Sequence, residues 1–168
     1  MKEVILINIA GEDKPGLTSS VTEILAGHEV NILDIGQAVI HETLSLGILI
    51  ELPVAAELSS VQKDILFRTH ELGLKVRFVP IDEESYEQWV QGQGKPRYII
   101  TLLARKITAE HLSAITHIVS KNALNIDRID RLSGRISLDD FARQSKACVE
   151  FSVRGVVGDA QAVRGQRH

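Results

Sequence analysis

VILINIAGEDKPGLTSSVTEILAG, residues 4–27, decides the fold. An apolar run ends in a turn rich in glycine and proline, and apolar residues then recur at Leu17, Val21, Ile24 and Leu25. That spacing is helical, so a buried strand over 3–10 passes through GEDKPGL into a helix over 17–27. Gly27 stands where a C-cap glycine belongs.

Working outward, VNILDIGQAVI (30–40) reads as a strand, HETL as a hairpin turn, and LSLGILIEL (44–52) as a strand ended by Pro53. Residues 58–72 are helical, with Leu58, Val61, Ile65, Leu66 and Leu72 on one broad face, and Gly73 stops them. LKVRFVPI (74–81) alternates as a half-exposed strand. The order β-α-β-β-α-β predicts a ferredoxin-like α+β unit, an antiparallel four-stranded sheet with both helices on one face.

Residues 82–96, DEESYEQWVQGQGKP, read as a short helix or coil through Tyr86 and Trp89, then a linker, with Trp89 expected to pack. The pattern then restarts: strand 97–105, amphipathic helix 108–123 opened by Thr108, strand 124–132, strand 146–155. A constant offset of 94 (99 − 5) lays Ile5 on Ile99, Val30 on Leu124, Asn31 on Asn125 and Ile32 on Ile126. Two copies of one fold are expected: module 1 over 1–81, a linker over 82–96, and module 2 over 97–168. Module 2 would lack most of its second helix and its last strand, keeping a short helix at Ala160–Val163 capped by Asp159. A longer polar connection, SGRISLDDFARQS, joins its hairpin strands.

Composition excludes several classes. Apolar residues at 44% can fill a core, but aromatics at 4% leave it to Ile, Leu and Val. A net charge of −3 gives no pull toward nucleic acid or an anionic membrane. Cys148 is the only cysteine, so neither an intrachain disulfide nor a cysteine zinc cluster can form; its strand context predicts a core position. No apolar run is long enough to span a bilayer and no signal peptide opens the chain, so a cytoplasmic location is expected. Phosphate loops, nucleophile elbows and zinc-protease motifs are missing, His111 and His117 fall on different helix faces, and neither catalytic nor metal-ligating residues are expected.

GEDKPGL admits two readings. Asp13 can cap the helix with Pro15 in its first turn, and nothing more. Alternatively Gly11 lets a ligand approach the main chain, Gly16 keeps the turn unobstructed, the free N–H groups of Leu17 and its neighbours hold a carboxylate, and Asp13 or Asn31 accepts from an amine.

GEDKPGL after a first strand, with V-N-I opening the second, resembles the ACT domain family, strongly over 3–81 and more weakly over 97–155. The resemblance implies a small amino-acid-binding regulatory module, with ligand-site positions Gly11, Asp13, Gly16, Leu17, Asn31 and Ile32. In the second copy Arg105, Ile107, Ala109 and Glu110 replace Gly11, Asp13, Pro15 and Gly16, and only Asn125 and Ile126 survive. The tandem pair, with LFRTHELGLKVRF, NIDRIDRLSGR and CVEFSVRG, is similar to the N-terminal regulatory part of the bacterial phosphoserine phosphatase family. That implies L-serine or glycine as ligand and a magnesium-dependent catalytic domain elsewhere; no Asp-x-Asp occurs here and no cofactor is expected in this chain. The sheet edge left open by the missing fourth strand of module 2 predicts a homodimer. The alternatives are a free-standing tandem regulator of the glycine-cleavage-repressor type and a ligand-free dimerisation module.

Overall fold

The computed structural model describes residues 3–53, 58–135, 137–138 and 146–156. The chain divides into two compact units, Met1–Glu87 and Gln88–His168.

The first unit contains β1 (Glu3–Glu12), α1 (Leu17–Gly27), β2 (Asn31–Ile40), β3 (Thr43–Leu52), α2 (Leu58–Glu71) and β4 (Lys75–Ile81). Its sheet runs in the order β2-β3-β1-β4, with β1 antiparallel to β3 and to β4 and β2 antiparallel to β3. Alternation sets the core. Ile5, Ile7 and Ile9 of β1 and Leu44, Leu46, Ile48 and Ile50 of β3 are buried with Leu17, Val21 and Leu25 of α1 and Val61 and Ile65 of α2. The period of two along the strands and the period near four along the helices meet in one apolar layer. Leu66 departs from the sequence expectation and is half exposed; Thr69 takes the buried position, its hydroxyl donating to Ile65 O at 2.8 Å. That bond satisfies a polar group the core could not otherwise hold.

Residues 83–93 form a full helix, α3 (Glu83–Gln93), which runs across the boundary between the units. Asp82 starts it by accepting from the Ser85 N–H at 2.7 Å. Trp89 is among its exposed residues.

The second unit contains β5 (Arg97–Ala104), α4 (Ala109–Lys121), β6 (Asn125–Arg131) and β7 (Ala147–Arg154), with sheet order β5-β7-β6. Val119, Val149, Phe151 and Val153 form its buried centre. Cys148 falls between Val149 and the buried Ala147, so alternation turns it to the other face, only partly buried. The expected Ala160–Val163 helix and its Asp159 cap lie outside the described residues, as does most of the polar connection before β7.

Backbone detail confirms the repeat. Glu29 and Ala123 both have positive φ, 57° and 56°. The ladder slips between Ile32 and Asp34 in β2 and between Ile126 and Arg128 in β6. Both pairs of features obey the offset of 94.

Candidate functional site

The junction between β1 and α1 is the first candidate, and its geometry corrects the sequence reading. Gly16, not Asp13, is the N-cap of α1, at φ 87° and ψ 0° with no side-chain cap bond. Only glycine adopts that left-handed conformation without steric cost. Pro15 therefore precedes the helix rather than entering its first turn. Asp13 is held by its main chain, its N–H donating to Glu42 O at 2.7 Å, which fastens the loop to the β2–β3 turn.

Gly11 has a packing reason for its missing side chain. A Cβ there would sit 2.6 Å from Leu74 Cδ2. Leu74 fills the space that a side chain at position 11 would need. Leu17 is buried in the core, and its N–H reaches Lys14 O at 3.4 Å. The N–H groups of Thr18 and Ser19 have no acceptor among the described residues, and they carry the partial positive charge of the helix start. The Thr18 hydroxyl donates to the Gln37 side-chain oxygen, so β2 contributes a second polar group to this corner. Neither Thr18 nor Gln37 was singled out in the sequence; the parallel course of β1 and β2, implied by the crossover through α1, is the signal that would have placed Gln37 beside the turn.

Asn31 and Ile32 lie elsewhere. Asn31 pairs with Glu51, which pairs with Val4. They stand level with the beginning of β1, seven residues from Gly11 (11 − 4), or about 23 Å at the rise of a strand. One module therefore brings Gly11, Asp13, Gly16 and Leu17 together and leaves Asn31 and Ile32 at the opposite end of the sheet. The Asn31 amide donates to Glu51 Oε1 at 3.3 Å, and Ile32 is 45% exposed.

The second junction is closed chemically. Thr108 is the N-cap of α4, and its hydroxyl oxygen accepts from the His111 N–H at 3.2 Å. Asn125 donates to Asp127 at 3.5 Å, and Ile126 packs on the module 2 core. Among the described residues no cluster of three or more His, Cys, Asp or Glu could hold a metal ion, and no helix is long and apolar enough to cross a membrane.

Fold and junction define the class first: a tandem ferredoxin-like βαββ protein, with one uncapped and one self-capped strand-to-helix turn. Residues 3–79 match the ACT domain model, so the first module is an ACT domain. The chain is 35% identical over 133 residues to phosphoserine phosphatase SerB2 of Mycobacterium tuberculosis, covering 79% of this chain and 31% of that protein. It is 28% identical over 152 residues to a phosphoserine phosphatase of Streptomyces coelicolor, covering 90% of this chain and 34% of that one. The chain thus spans about a third of the length of these curated relatives. A solved protein described as a proposed glycine cleavage system transcriptional repressor superposes with a TM-score of 0.68 at 12% identity, covering 99% of this chain and 88% of that one. At that identity the likeness establishes the fold alone.

Proposed function

We propose that this chain is the amino-acid-sensing regulatory part of a phosphoserine phosphatase, with L-serine or glycine as its ligand. The observation that carries the reading is the 35% identity to a phosphoserine phosphatase over most of this chain. The junction of module 1 supplies fitting chemistry. The free N–H groups of Thr18 and Ser19 suit a carboxylate, the open turn at Gly16 leaves them accessible, and Asp13 supplies an acceptor for the ammonium group. Module 2 acts as scaffold, since the Thr108 hydroxyl already takes up one N–H at the start of α4, that of His111.

The distance between this corner and Asn31 makes the site a shared one. Among the described residues β2 is a sheet edge, with β3 its one neighbour. Two such edges paired antiparallel about a two-fold axis bring Asn31 of one copy toward the β1–α1 corner of the other. Ligand bound across that seam favours the paired state and so couples amino-acid concentration to the activity of an attached enzyme.

Calorimetry with L-serine and with glycine, on the wild type and on Asp13→Ala, tests the reading. Heat from the wild type that Asp13→Ala abolishes is the expected result; absence of heat from any amino acid overturns it. The free-standing regulator is the second reading, favoured by the two-module architecture making up 88% of the similar solved chain. An Asp-x-Asp-x-Thr segment in the gene downstream of His168 decides for the phosphatase; a stop codon there decides for the regulator.

A further inference from the structure

On the solvent side of module 1, the last turn of α1 and the middle of α2 enclose a cleft of about 370 Å3 lined by Ile24, Gly27, His28, Asp64, Phe67 and Arg68. His28 Nε2 donates to Asp64 Oδ2 at 2.7 Å and ties the helices together. That tie leaves much unused. Phe67 is 69% exposed. Neither the Arg68 guanidinium nor the second oxygen of Asp64 has a partner among the described residues. Positions 64, 67 and 68 share one flank of a helix. An aromatic ring and an unpaired arginine beside a hollow lined in part by Ile24 have the composition of an interface centre.

We propose that this flank of α2 receives a second copy of this chain, docked about a two-fold axis with the two α2 helices antiparallel. The charge pattern argues for self-association over a different partner. A two-fold contact is isologous, so each residue meets the reciprocal one. Asp64 and Arg68 are opposite in sign and about 6 Å apart along the axis at the helical rise. Turning the helix end for end sets Arg68 of each copy against Asp64 of the other, using both unpaired groups twice. Parallel docking would instead oppose like charges, which disfavours it. The axis then crosses α2 at the level of residue 66, and Phe67 lies about 1.5 Å along the helix from it. The two Phe67 side chains thereby meet beside the axis. This surface lies on α2 and is separate from the β2 edge.

Oxidative cross-linking of Phe67→Cys in a Cys148→Ser background tests it. A disulfide-linked dimer is expected at micromolar concentration. Adding Arg68→Asp or Asp64→Arg opposes like charges and should cut the yield about tenfold, whereas mixing the two charge variants should restore it. Failure to cross-link, or a yield unaffected by either reversal, overturns the proposal. Asp64→Arg also removes the His28 tie, so thermal melting accompanies each variant. Should that variant fail to fold, the Arg68→Asp arm decides alone, because Arg68 has no partner within the described residues.

Discussion

Gly11 and Leu74 approach so closely that a Cβ on Gly11 would lie 2.6 Å from Leu74 Cδ2 and 3.4 Å from Leu74 Cα. Leu74 is buried, so it cannot simply rotate into solvent. Gly11→Ala should therefore destabilise module 1 by about 1–3 kcal/mol, the range for overpacking. In urea denaturation, Leu74→Val should offset part of that loss, giving a non-additive double-mutant cycle. Additive losses would mean that Gly11 is required for another reason.

The two helix starts predict opposite responses to losing a polar side chain. Thr108 caps α4 with its hydroxyl, so Thr108→Ala should cost about 1 kcal/mol. Asp13 caps nothing and is anchored through its main chain, so Asp13→Ala should stay within about 0.5 kcal/mol. Amide hydrogen exchange, read separately for α1 and α4, checks both. A substantial loss of protection in α1 of Asp13→Ala would restore the capping role and weaken Asp13 as a ligand residue.

Gly16 separates backbone cost from steric cost. Nothing lies within 4 Å of a Cβ built there, yet its φ is 87°. Replacement should thus be penalised by conformation alone, by about 1–2 kcal/mol for Gly16→Ala. Gly16→Asn should lose less, because asparagine tolerates the left-handed region. Thermal denaturation in the order glycine, asparagine, alanine checks this; equal melting temperatures would refute it.

The strands and helices of module 1 were legible because the elements that build its core carry an uninterrupted period, as in Ile5-Ile7-Ile9 or Val61-Ile65. α3 was only half legible, since Tyr86, Trp89 and Val90 make no continuous stripe and none of its residues is buried. The signal that was present, Asp82 three residues before Ser85, is a capping spacing. Leu66 and Cys148 were misplaced for a related reason: apolar chemistry named them core residues, while their neighbours Ile65 and Val149 took the inward positions. The candidate site was legible as a set of residues but not as a place. Gly11 lies near the end of β1 and Asn31 opens β2, and the parallel course of those strands on either side of β3 puts them at opposite ends of the sheet.

That separation yields the sharpest test of a shared amino-acid site. If the loop of one copy and Asn31 of another hold one ligand, each two-fold pair of wild-type chains has two composite sites. Asp13→Ala damages the loop contribution to both, and Asn31→Ala damages the β2 contribution to both. In a mixed pair, one site receives both lesions and the other receives neither. Equimolar mixing of the two variants, each silent to L-serine in calorimetry, should therefore restore one intact site in every mixed pair. Random pairing makes half of all pairs mixed, so about a quarter of the wild-type site number should return at unchanged affinity. A site built within one copy predicts no recovery, because every chain in the mixture would still carry one lesion.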